Sequence, residues 1–192
     1  SLGLLSLSEK YQIWALQYNV FSYGLASYSA CLFVNACVAV VVSVLTGCAQ
    51  KDDGVDKTLT IDQAKSQTQE VEMRIIELTP ATYVADVRQQ PEGVLLACSP
   101  TSVTWAGGAT LTVQSDPDFT KILTDIQTAF NADPAYTTIM DTDYHGDPVL
   151  TIHDKAGSQW IVSPMTRGAT LDVMSSSPCF LTPDGMQPSD TY

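Results

Sequence analysis

The order of elements in this 192-residue chain predicts an α+β domain. Three observations carry that expectation: a capped amphipathic pattern at 60–78, a second helical pattern at 116–131, and short β-branched runs around and after the second. Helices separated by runs of short strands favour a two-layer sandwich, an antiparallel sheet of about five or six strands with two helices on one face.

The elements follow in order. Thr60 and Gln63 have capping-box spacing, and Ala64, Val71, Ile75 and Leu78 recur at helical intervals until Pro80 stops the pattern. The segment from Ala81 to Gly93 is ambiguous, since Thr79-Pro80 is able to restart a short helix through Tyr83, Val84 and Val87 that ends by Pro91. Strands are expected at Val94 to Ala97, Ser102 to Trp105 and Ala109 to Gln114, with Gly107-Gly108 as a bend or hairpin turn. Asp116 then reads as a helix cap, with Pro117 in the first turn and Asp118 complementing the helix dipole. Phe119, Ile122, Leu123, Ile126 and Phe130 line one face before an end near Asn131 to Pro134. A meander closes the domain: Thr137 to Thr142, Val149 to His153, Ser158 to Val162 and Ala169 to Met174, with turns at His145-Gly146 and Lys155-Ala156-Gly157. Leu150, Ile152, Ile161, Leu171 and Val173 are the expected core residues of these strands. Residues 183–192 read as a polar tail.

Upstream, no charged residue falls between Tyr11 and Gln50, and the stretch ends in the apolar run Cys37-Val38-Ala39-Val40-Val41-Val42-Ser43-Val44-Leu45. Such a segment inserts into a membrane. Leu45-Thr46-Gly47-Cys48 then matches the bacterial lipobox: a branched apolar residue, two small residues and the cysteine whose thiol is acylated at the bilayer surface. The expected precursor is cut before Cys48, with residues 1–47 as signal peptide. Only Lys10 supplies positive charge there, and the first thirty or so residues are long for the start of a leader, so the alternatives at this end are a fragment or a misassigned start over 1–29, with the leader beginning nearer Tyr18 to Ala30. The competing reading is a retained transmembrane helix, which needs about 20 apolar residues; Gln17, Asn19, Ser22, Tyr23, Ser27, Tyr28 and Asn35 interrupt the upstream half. Two or three acyl chains on one cysteine anchor a protein stably, each buried methylene contributing roughly 0.8 kcal/mol. Residues 48–59 read as the lipidated cysteine and a flexible acidic tether, and 60–182 as one domain.

Glu9 and Lys10 aside, the 20 remaining acidic and 8 remaining basic residues all follow Cys48, so the exported part keeps the full formal charge of −12. That surface repels nucleic-acid phosphates and anionic headgroups. Of the five cysteines, Cys98 and Cys179 alone fall within the domain. Outside the cytoplasm they are able to form a bridge, worth on the order of 4 to 5 kcal/mol before strain; two free thiols or intermolecular pairing are the alternatives.

The polar cluster Asp141-Thr142-Asp143-Tyr144-His145-Gly146-Asp147 has the Asp-x-Asp and glycine of an EF-hand loop. It places His145 at the fifth position and Ile152 at the twelfth, where a bidentate glutamate is required. Asp141, Asp143, His145 and Asp147 are thus weak metal candidates, and a polar hairpin turn explains the same residues. His145 and His153, on opposite strands of that hairpin, do not specify a zinc site even if they meet across it. No serine-hydrolase elbow, zinc-protease helix or phosphate-cradling glycine loop is present, and no cofactor is implied. Trp105, Trp160, Tyr136 and Tyr144 are candidates for a stacking platform for a sugar or peptide, with core packing the blander reading. Arg167 reads as a turn residue rather than an anion clamp.

Taken together, the lipobox, the acidic tether, Ala97-Cys98-Ser99, the helix start Ser115-Asp116-Pro117-Asp118 and Ser177-Pro178-Cys179-Phe180 resemble the small LppA-like lipoproteins of actinobacteria over roughly Leu45 to Phe180. The resemblance implies a lipoprotein on the outer face of the cytoplasmic membrane, with the two late cysteines paired and no active site to carry over. The expectation is therefore a non-enzymatic binding domain, with an envelope protein or glycan as partner and no nucleic acid. The alternatives are a lipid-anchored enzyme of unrecognised type and a cation-binding module built on 141–147.

Overall fold

The computed structural model describes residues 54–165 and 169–192. The expected signal peptide, the cleavage site, Cys48, the start of the tether and Arg167 lie outside the described residues. The described residues all fall in one compact unit, and among them no helix is long and apolar enough to cross a membrane.

Among the described residues the domain has two α-helices and nine strands: β1 (Val55–Asp56), α1 (Ile61–Glu77), β2 (Val84–Gln89), β3 (Val94–Ser99), β4 (Ser102–Val113), α2 (Phe119–Asn131), β5 (Tyr136–Thr142), β6 (Pro148–Asp154), β7 (Gln159–Met165), β8 (Thr170–Ser176) and β9 (Cys179–Leu181). They join in one curled sheet of order β1-β9-β4-β8-β7-β6-β5. The twelve-residue β4 organises it. On one edge β4 pairs with β2 and β3 end to end, and on the other with β8 and β9. The β1–β9 pair is parallel, so the sheet is mixed and larger than the antiparallel five or six strands expected.

The added strands have local causes. Val55–Asp56, expected in the flexible tether, pair with Cys179–Phe180, and the Asp56 carboxylate accepts from the Thr58 backbone and hydroxyl at 2.8 Å to turn the chain toward α1. The ambiguous segment after Pro80 resolves into one 3-10 turn at Ala81–Tyr83 followed by strand β2.

Gly107-Gly108 does not turn the chain; β4 runs straight through it. These glycines serve close approach. A Cβ on Gly107 would stand 2.1 Å from the Trp105 ring, and one on Gly108 2.4 Å from the Val173 carbonyl oxygen.

α1 begins with the expected capping box, Thr60 and Gln63 each bonding the other's backbone. The cap of α2 is Asp118 rather than Asp116: its carboxylate accepts from Lys121 N at 3.0 Å. Both helices pack on one face of the sheet. Ile75 and Ile76 of α1 and Ile122, Leu123, Ile126 and Phe130 of α2 share a core with Leu111, Leu150, Ile152, Trp160, Val162, Leu171 and Val173. Ile161 is a correction: strand alternation turns it to the opposite face, where it is half-buried. A second core gathers Ala64, Leu95, Val103, Trp105 and Phe180 near the start of α1.

The last residues, expected as a polar tail, are fastened to β3. Leu95 N donates to Asp190 O, Ser189 N to Leu95 O, and Gly93 and Tyr192 exchange both backbone bonds, all between 2.7 and 3.1 Å. Trp105 Nε1 donates to Tyr192 O at 3.0 Å, and the Tyr192 hydroxyl bonds the Asp62 carboxylate on α1. Cys98 and Cys179 are joined by a disulfide, tying β3 to β9.

Candidate functional site

A cleft of about 600 Å³ lies between α1 and the sheet. Glu70, Arg74 and Glu77, successive at about one helical turn, stand on its helix wall; Tyr136 and Trp160 lie on its sheet side, with Asp154 and Ser158 from the β6–β7 hairpin. The Arg74 guanidinium lies 4.4 Å from the centroid of Phe130 and 5.2 Å from that of Tyr136, and it reaches Asp133 at 3.5 Å. Stacking on two rings orients it, while the long, half-exposed ion pair constrains it little. Tyr136 meets Phe130 edge-on at 4.9 Å and Trp160 at 6.1 Å. The cleft thus offers an aromatic side, an oriented guanidinium and three carboxylates, a set suited to an amphipathic, hydrogen-bonding ligand.

Beside the cleft, α1 is joined to the sheet by a buried polar seam. Trp160 Nε1 donates to Thr68 O at 3.1 Å, and the Thr68 hydroxyl donates back to Ala64 O at 2.7 Å. One turn on, Glu72 is wholly buried. Its carboxylate accepts from the Ser175 hydroxyl at 2.5 Å and from Gln89 Nε2 at 2.9 Å, and Gln89 also donates to Gln69 O. Burial pushes the Glu72 carboxyl up to about 7, although both hydrogen bonds pull the other way. Ser175 is 5% exposed, so this serine–carboxylate pair is closed to a substrate from solvent and acts as a helix–sheet joint.

The expected platform is not assembled. Trp105 is buried in the second core and bonded to Tyr192, Trp160 is buried beneath α1, and Tyr144 stands 90% exposed at a hairpin tip against the His145 ring. Tyr136 and Trp160 alone of the four line the cleft.

In the acidic hairpin, Asp143 shapes the turn. Its carboxylate accepts from His145 N at 2.8 Å and Asp147 N at 2.9 Å. Desolvation alone raises this carboxyl, but the donated N–H bonds hold it below the usual range. Asp141 Oδ1 accepts from Thr142 N at 2.7 Å. His153 pairs with Thr137 while His145 sits in the turn beyond the Thr142–Pro148 pair, so the two histidines do not meet. Among the described residues, no three His, Cys, Asp or Glu side chains gather as a metal site.

Sequence reasoning overlooked Glu72, Ser175, Gln89 and Arg74. For Glu72 a signal existed: it lies three and four residues before Ile75 and Ile76, on the helix stripe already read as apolar. A carboxylate on that stripe demands partners. Comparison of the chain with protein-family models, curated proteins and solved structures finds no match in any of the three.

Proposed function

We propose that this protein is a non-enzymatic envelope lipoprotein, held on the outer face of the cytoplasmic membrane by acyl chains on Cys48 and binding an envelope protein or glycan through its domain. The observation that carries the reading is the sequence Leu45-Thr46-Gly47-Cys48 at the end of a long uncharged stretch. Acylation there explains why a chain so acidic beyond Cys48 would stay at a membrane whose anionic headgroups repel it. The Cys98–Cys179 bridge suits an oxidising compartment. The resemblance to LppA-like lipoproteins supports the same reading.

The cleft is the proposed ligand site. Its half-buried Tyr136 ring offers apolar surface to a sugar or peptide side chain, with Trp160 buried behind it, and Arg74 with Glu70 and Asp154 supplies donors and acceptors. Replacing Cys48 by Ala and following fatty-acid labelling with membrane fractionation tests the anchor: label and membrane association should both vanish, and unchanged labelling would refute it. Arg74→Ala, with envelope crosslinking and pull-down, tests the cleft; capture of the same partners at wild-type yield would remove it as the binding site.

A further inference from the structure

β5 ends the sheet, and no strand or tail pairs with its outer backbone edge among the described residues; the end of α2 lies against β5 on the helix face, where the Thr138 hydroxyl donates to Asn131 Oδ1 at 2.9 Å. The opposite region is finished differently: β1 stops after two residues, and the edge of β3 is taken by residues 189–192. β5 is seven residues long, Tyr-Thr-Thr-Ile-Met-Asp-Thr, without lysine, proline or bulge. It therefore carries none of the usual devices that keep edge strands apart except one aspartate.

The hydrogen-bond phase of this edge follows from its ends. Asp143 N donates across the hairpin to Asp147 O at 2.8 Å, whereas Tyr136 N turns away to Asp133 O at 3.1 Å. Antiparallel alternation then directs the N–H groups of Thr137, Ile139 and Asp141 toward β6 and those of Thr138 and Met140 outward. Thr142 N is bonded to the Asp141 side chain. Ile139, 58% exposed, points to the face on which neither helix packs, opposite Thr151.

We infer that β5 pairs antiparallel with β5 of a second copy of this chain, about a two-fold axis at Ile139. That register is self-complementary. Thr138 and Met140, the residues with outward N–H groups, stand opposite each other and exchange both backbone bonds on each side of the axis. Ile139 meets its own copy in the close, non-hydrogen-bonded position, which covers an exposed apolar side chain. Asp141 falls opposite Thr137, not opposite another carboxylate, so the pairing opposes no like charges directly across the strands. It also sets Thr142 of the second copy against Tyr136, which lines the cleft, so each copy would contribute to the other's cleft margin. A second acidic molecule is repelled at long range, and salt screens that repulsion; pairing should therefore strengthen with ionic strength. None of this depends on the lipid anchor.

The test uses single cysteine substitutions in the full chain, oxidised mildly and run without reductant beside the wild type. Cα atoms in a non-hydrogen-bonded pair lie about 4.5 Å apart, within disulfide reach, so Ile139→Cys should shift the chain to a band of twice its mass. Thr137→Cys is also an exposed position on the same strand, but its symmetry mate is offset by four residues, roughly 14 Å, and it should stay monomeric. Met140→Pro deletes an outward N–H without breaking the β6 ladder, and adding it to Ile139→Cys should abolish the dimer band. Equal crosslinking at both cysteines, none at either, or a conjugate of some other mass would overturn the inference. Should Met140→Pro prevent folding, the comparison of the two cysteine variants still decides it.

Discussion

Glu72 and Ser175 join α1 to β8 through a 2.5 Å hydrogen bond in a wholly buried position. Because burial raises the Glu72 carboxyl from 4.5 to about 7, the folded state binds a proton that the unfolded chain has already released between those values. This contribution to stability is complete below about pH 4.5 and is lost as pH rises through about 7. Its span is on the order of 3 kcal/mol. Glu72→Gln should flatten that part of the profile, so the wild-type minus variant difference in urea unfolding free energy should fall from pH 5 to pH 8. A difference that is constant or rises would contradict the buried-carboxyl joint.

Trp105 leaves no room above Gly107. Gly107→Ala would force the indole from its place between Leu95, Gly93 and the Tyr192 carbonyl, and overpacking of this kind costs roughly 1 to 3 kcal/mol. The expected result is a lowered urea midpoint with an unchanged slope. An unchanged midpoint would mean that the ring moves freely.

The Cys98–Cys179 bridge closes a separation of 81 residues and ties β3 to β9, the strand that also carries β1. In the chain-entropy model its loss costs on the order of 4 to 5 kcal/mol, less any native strain. Replacing both cysteines by Ser should lower the melting temperature markedly. Adding reductant to the wild type should reproduce the shift and leave the double variant unmoved.

Much of the fold was legible where local chemistry and burial agree. The Thr60–Gln63 box, the Phe119 to Phe130 stripe and the four-strand meander follow from capping and periodicity, which need no partner to be recognised. What escaped depends on contacts distant in sequence. Gly107-Gly108 has the composition of a turn, and only the Trp105 ring and the Val173 carbonyl explain why it lies in a strand. Val55–Asp56 becomes a strand because Cys179–Phe180 is there to pair with it. At the candidate site, Tyr136 and Trp160 were readable as aromatics, but the side of the sheet they line is fixed by packing against α1 and α2. The orientation of Arg74 likewise needs Phe130, 56 residues away, to be in place.

The proposed function rests first on the fate of Cys48, and mass spectrometry of the N-terminal peptide of the membrane-extracted protein tests it most directly. The expected peptide begins at Cys48 and carries the added mass of two or three acyl chains. A peptide that runs through Gly47 into an unmodified Cys48 would contradict the lipoprotein reading.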